Sequence, residues 1–476
     1  MSGTIDVTGT SATTGGPLAV LDTRPSPATP RAYHFPGFRR EILPNGLTVL
    51  ASHLPGRPLL AAHLIIDGGV AAEPAPFAGV TALVAEALSE GTERRDAIEF
   101  VEASERLGAS LQASAGWETF VASLDVPRRR LGPALELLAE MVLQPAFPDH
   151  EVDRLREERL NDLLQAMADP RRRAERAFIA TIYAPWSPFS RPAGGTEETV
   201  PLLDRAALAD RHGAILDPRH ATLVVGGDLE GLPVTDLVAE QFGDWTAVAE
   251  RATPPTTDTS PHPEGPRVVV VDRPGAPQTE VRIGHVGLPR RIPDYHALVV
   301  MSAILGGLFN SRLQRLLREE RGYTYSVGAG FDLRRAPGPF SVRMAVETAA
   351  TVPSVVDALG ELRRIREIPP TTDELDVARE YLIGVFPLRF EAPSQVVAAI
   401  GGLVAHGLPD DELDLYRPAI AGVTAGDVVA VAEHVDADGA SVVLVGDAAR
   451  FEAELMAAGL GPVTILREPA GAAEAP

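Results

Sequence analysis

The stretch PDHEVDRLREERL (148–160) returns later in the chain as TTDELDVAREYL (371–382), with Glu151 over Glu374, Asp153 over Asp376, Arg156 over Arg379 and Glu157 over Glu380. Two amphipathic helices of similar charge pattern can agree by chance, but the elements around them repeat in the same order. Ahead of the first copy, LLAAHLIIDGGVA (59–71) reads as a strand and PFAGVTALVAEALSEGT (76–92) as a helix. GASLQASAGWETFVASLDVP (108–127) follows as a strand pair and RLGPALELLAEMVLQ (130–144) as a helix. A long charged helix from about Asp149 to Met167 and a strand HATLVVGGDL (220–229) complete the set. The second copy has the same neighbours: TEVRIGHVGLP (279–289), a helix from about Asp294 to Arg318, the strand pair TYSVGAGFDLRRAPGPFSVRMAVE (324–347), the helix TVPSVVDALGELRRIRE (351–367), the helix Thr372 to Phe386, and ASVVLVGD (440–447). An internal repeat of this kind is a duplicated unit. Helices mixed with strands and hairpins make each half α/β or α+β, a sheet covered by helices.

The duplication divides the 476 residues. Residues 1–36, polar and rich in Thr, Gly and Pro, read as a disordered leader; 37–250 form the first half. RATPPTTDTSPHPEGP (251–266) reads as a linker, 267–466 as the second half and 467–476 as a loose tail. The N-terminus has no positive start followed by an apolar core, so no secretion signal is expected. Apolar runs such as HALVVMSAILGGLF (296–309) fall short of a membrane span, so the chain reads as soluble and cytoplasmic.

Charge and composition exclude several chemistries. The net charge is −22, and all 43 basic residues are Arg. That balance argues against nucleic acid as a partner and removes Schiff-base catalysis and the lysine of a phosphate-binding loop. With no Cys there is no thiol nucleophile, thiolate metal site or iron–sulfur cluster. No G-x-S-x-G elbow is present. The glycine pieces GGL (306–308 and 401–403) and VGAG (327–330) lack the context of a dinucleotide site and read as turns or close-packing positions.

Val80, Leu83, Val84, Ala87 and Leu88 fall at helical spacing and must face a core. The helix that carries them reads GVTALVAEALSEGT (79–92) and is preceded by NGLTVLASHLPGRP (45–58). This setting resembles the insulinase-like M16 metallopeptidases, in which a strand beginning NGL leads to a helix G-x-x-H-x-x-E-H-x-x-x-x-G-T; Gly79, Gly91 and Thr92 are in register. The family's two His stand one turn apart and bind zinc, while the Glu beside the second deprotonates the attacking water. Here the two ligand positions are Ala82 and Glu86, and the base position is Ala85. The family's third ligand, a Glu on a later helix, aligns with Gln165. No zinc is expected in this chain, and none of the eleven His is followed by another within five residues.

The second half carries GGLFNSRLQRLLREERGYTYSVGAG (306–330), which resembles the signature of the family's C-terminal half: S-R-L, a helix ending R-E-x-R-G, and an aromatic strand with Y-S-V. By resemblance Arg321 and Tyr325 are the Arg and Tyr that reach the bound peptide and the reacting carbonyl, which a guanidinium and a phenol can hydrogen-bond. From the residues alone, Arg321 better suits a helix C-terminus with Gly322 as its cap, and Tyr325 a packed strand position. The resemblance implies α+β architecture, two homologous domains each with a mainly antiparallel sheet. It further implies the zinc-less subunit of a bacterial heterodimeric M16 peptidase, paired with an H-x-x-E-H subunit that holds zinc and closing with it around a peptide. Such pairs include ones that mature leader peptides of ribosomally made natural products. The alternative is a catalytically inert peptide-binding or structural M16-like protein.

Overall fold

In the computed structural model, residues 31–247 and 256–467 are described. The first half folds its alternating apolar segments into a six-stranded sheet of β1 (Arg39–Ile42), β2 (Thr48–His53), β3 (Leu59–Asp67), β4 (Ser110–Ala115), β5 (Thr119–Pro127) and β6 (Ala221–Gly227), in the order β1-β2-β6-β3-β5-β4. The second half does the same with β7 (Val268–Asp272), β8 (Gln278–Val286), β9 (Thr324–Phe331), β10 (Pro339–Glu347), β11 (Ser441–Gly446) and β12 (Val463–Leu466), in the order β12-β7-β11-β8-β10-β9. Five strands correspond one to one. The sixth differs: β1 enters as an antiparallel neighbour of β2, whereas β12 arrives from the chain's end and lies parallel to β7. The central pairs β2/β6 and β7/β11 are parallel, and the pairs running out to β4 and β9 are antiparallel. The architecture is α+β in two duplicated halves, as the repeat predicts.

Helices lie on these sheets because each has one apolar stripe to bury. In chain order they include α1 (Val80–Ala87), α2 (Leu131–Leu143), α3 (Asp149–Ala168), α4 (Pro170–Ile182), α5 (Tyr295–Ser302), α6 (Thr351–Glu367), α7 (Thr372–Val385) and α8 (Pro393–His406). In the first half, Leu83 and Val84 of α1 and Leu135 and Leu138 of α2 pack in one core with the alternating Leu60, Ala62, Leu64 and Ile66 of β3 and Phe120, Ala122 and Leu124 of β5. α5 runs into a π-helical turn at Ala303–Gly307, and a second π-helical stretch spans Arg315–Glu320.

The opposite faces are covered by exchange. α4 of the first half packs on β8 and β11 of the second, where Ala174 and Phe178 share a core with Val269, Val271, Val443 and Val445. α8 of the second half packs on β3 and β6 of the first. The approach is close: a Cβ on Gly226 would meet Val397 at 2.6 Å, and one on Gly401 would meet Ile65 at 2.8 Å. Arg335 adds a polar tie, with its guanidinium on Asp67 at 2.6 Å and on the carbonyl of Ala405, and its backbone N–H on Glu118 at 2.9 Å.

Of the leader, residues 1–30 lie outside the described residues; Phe35 is buried, its ring 5.0 Å from that of Phe390. Of the linker, 251–255 lie outside; Asp258 accepts from the Trp186 indole at 2.8 Å, and Pro261 bridges to Tyr183. Of the tail, 468–476 lie outside. One run, Tyr295–Glu320, is long and apolar enough to cross a membrane by length and composition, but 67% of its most apolar window is buried inside the fold.

Candidate functional site

α1 is set in place by its start. Gly79 has φ +95°, a left-handed conformation that a side chain disfavours, and its Cβ would lie 2.7 Å from Gly194. The N–H groups of Gly79 and Thr81 donate to the Glu73 carboxylate at 2.8 and 2.6 Å. A carboxylate there satisfies orphan donors and complements the helix dipole.

α1, with the three degenerate positions, packs beside α3. Ala85 is buried, Ala82 half-buried, and Glu86 reaches out to the acidic and basic side chains of α3. Loss of solvent pushes the Glu86 carboxyl up; the Arg159 guanidinium pulls it back, and Glu158 and Asp162 add to the rise. Arg159 binds Asp162 at 2.6 Å and the carbonyl of Gly194 at 2.8 Å. Arg172 grips the same carboxylate with two bonds of 2.8 Å and, as the leading cause, holds Asp162 below the usual carboxylate range. Gln165 lies exposed on α3.

These residues do not fit zinc. A hydrolytic zinc site needs three donors and an open position. Here Ala82 and Ala85 offer no donor and Gln165 a neutral amide, while Asp162 on the neighbouring helix is occupied by two guanidinium groups, one of which, Arg159, also draws on Glu86. Among the described residues no group of three or more His, Cys, Asp or Glu is arranged to hold a metal.

The second half differs. Gly306, in the first π-helical turn, lies so close to β9 that a Cβ would meet the Ala329 nitrogen at 2.5 Å. The Arg of S-R-L, Arg312, is buried and structural: it donates to Glu374 at 2.9 and 3.1 Å and to the carbonyls of Ile368 and Pro369. Glu374 in turn completes a capping box with Thr371 at the start of α7. The motif therefore ties the helix before β9 to the helix that repeats α3.

Tyr325 stands on β9, the last strand of its sheet, and is 86% exposed. Beside it the guanidinium of Arg318 lies 5.3 Å from the Tyr325 ring and 4.4 Å from that of Phe309, itself exposed. Arg318 makes no ion pair among the described residues, whereas Arg321 is turned to Asp357, at 2.9 Å. Gly322 has φ +66° and ends the helix. The structure thus brings Tyr325 together with Arg318, a residue of the motif to which the sequence reading gave no role, and joins Arg321 to a carboxylate. Both arginines fit a helix-end motif by spacing; the π-helical widening of 315–320 decides which of them faces the strand. Arg318 and Tyr325 offer hydrogen-bond donors to a peptide carbonyl.

The two halves match two family models. The family model described as insulinase (peptidase family M16) matches residues 48–186, and the one described as the peptidase M16 inactive domain matches 203–382. An uncharacterized zinc protease of Mycobacterium tuberculosis is 28% identical over 415 residues, 87% of this chain and 93% of that protein. A non-peptidase homolog, YmxG, of Helicobacter pylori is 24% identical over 74% of this chain and 80% of its own length. A crystal structure of a peptidase M16 inactive domain from Pseudomonas fluorescens superposes with a TM-score of 0.77 at 23% identity, covering 91% of this chain and all of that one. The structure of a protease from Helicobacter pylori gives 0.80 at 19% identity over 87% of this chain.

Proposed function

We propose, from the premise that the chain belongs to the M16 peptidase family, that it is the non-catalytic, substrate-orienting subunit of a zinc-dependent peptidase. A separate H-x-x-E-H chain supplies the metal and the water-activating Glu, and the pair cleaves flexible peptides, leader peptides among them. The observation that carries the reading is the contrast between the halves. Where family relatives hold zinc, this chain has Ala82, Ala85, Glu86 and Gln165, beside an Asp162 held by two arginines. Where the resemblance has them touch peptide, at Arg321 and Tyr325, it has an exposed Tyr325, an Arg321 turned to Asp357, and Arg318, which makes no ion pair among the described residues, beside the Tyr325 ring. Hydrogen-bond donors aimed at a peptide carbonyl, held without a nucleophile or base, are half of an amide-hydrolysis site.

The test is cleavage of a quenched peptide library by this chain, by an H-x-x-E-H subunit encoded beside it, and by the mixture with zinc. Activity in the mixture alone is the expected result. Within the pair, Arg318→Ala and Tyr325→Phe each lower kcat/KM by about 10–100-fold, the scale of losing one transition-state donor, with assembly intact. Arg321→Ala has the smaller effect. A partner equally active without this chain overturns the proposal. In that event the reading as an inert peptide-binding protein, to which the non-peptidase homolog in Helicobacter pylori lends support, takes its place.

A further inference from the structure

A cleft of about 500 Å³ opens in the second half between α5 with its π-helical turn, the far end of β9, and α7. These elements repeat α1, β4 and α3, so the cleft lies where the first half carries its degenerate zinc positions. Its chemistry is different. Leu298, Leu308, Phe331 and Leu382 give it apolar walls, and its charged lining residues are two arginines, Arg290 and Arg389, with no carboxylate among them. In a chain of net charge −22 this is a local reversal of sign. Arg290 is engaged, with Glu412 at 2.7 Å and the Tyr295 ring at 3.3 Å. Arg389 is exposed and makes no ion pair among the described residues.

The cleft adjoins the Arg318–Tyr325 pair through consecutive residues: Leu308 lines it, and Phe309 stacks on Arg318. β9 runs along both, with Tyr325 near one end and Phe331 at the other. Each site is also bordered by its own π-helical segment, a rare distortion concentrated at functional positions. Apolar walls with a few convergent polar groups, at this volume, are the usual form of a binding pocket.

We propose that this cleft is a substrate subsite that takes an apolar side chain with a carboxylate next to it, so that the chain selects acidic peptide segments despite its own acidity. The inference deepens the substrate-orienting role and rests on it. Arg389 supplies the charge recognition and the leucines and Phe331 the apolar floor.

The experiment is fluorescence anisotropy of this full chain alone with short labelled peptides in a Ser/Gly background. Each peptide carries Leu-Asp, Leu-Lys or Ser-Asp at its centre. The expected result is preference for Leu-Asp, with Arg389→Glu reversing it towards Leu-Lys by about tenfold and Val299→Trp, which fills the cleft, weakening both. Equal binding of all three peptides, or a preference untouched by Arg389→Glu, overturns the inference. The outcomes separate from those above: a pair that cleaves while this chain shows no Leu-Asp preference sinks the subsite and leaves the proposed function standing. Selective binding with no cleavage by any mixture does the reverse.

Discussion

At the scale of single residues, Glu374 shows how the S-R-L arginine is put to structural use. Partial burial on its own would raise its carboxyl, but the Arg312 hydrogen bonds, the N–H of Thr371 and the Arg312 charge hold it down to about 2. Because the folded value lies below the ordinary 4.5, the stabilisation is complete above about pH 4.5 and is lost as pH falls through about 2. Glu374→Gln is therefore expected to lower stability at neutral pH by roughly 1.5–3 kcal/mol, the range for a hydrogen bond to a charged group. It should also flatten the acid limb of a plot of melting temperature against pH between those two values. An acid limb identical to that of the parent chain contradicts the assignment. The same residue pairing gives the Arg of S-R-L a role that needs no zinc: Arg312 serves the fold.

At the scale of elements, β9 depends on a glycine contact. Gly306 has backbone and Cβ atoms of Ala329 in the space a side chain would need, so Gly306→Val must push the π-helical turn off β9. A loss of about 1–3 kcal/mol is expected from such overpacking. Gly328→Ala, on the same strand but with open space at its Cβ position, serves as the near-neutral control; equal melting temperatures for the two variants refute the close-approach argument. The duplicated strands and helices were legible in the sequence because period-two runs such as Leu60, Ala62, Leu64 and Ile66, and the stripe Val80, Leu83, Val84 and Ala87, each name the face they bury. The loss of the metal ligands was legible for the same reason, since a helical register assigns Ala82, Ala85 and Glu86 without coordinates. The exchanged helices were not. An amphipathic stripe on Pro170–Ile182 or Pro393–His406 says that a face is buried, but not that the sheet beneath belongs to the other half. Arg318 was hidden by its neighbour: two arginines three residues apart are nearly equivalent on a regular helix, and only the wider turn separates them.

At the scale of the whole molecule, exchange of α4 and α8 makes the two halves depend on each other. A chain cut after residue 250 is expected to yield fragments that bind a hydrophobic dye and unfold without a sharp transition when expressed apart. Coexpression should restore a single cooperative melt, since each sheet recovers its cover. Two fragments that each melt cooperatively alone would show that the exchanged contacts are dispensable. Exchange also sets an order in time. β6, the last strand of the first sheet, leaves the ribosome roughly 180 residues before α8 is finished, which at about 5–20 residues per second is roughly 10–35 s. Throughout that interval the nascent sheet presents Ile65 and its apolar neighbours to solvent, so synthesis of this protein carries a built-in window for chaperone capture that a chain with self-contained domains would not have.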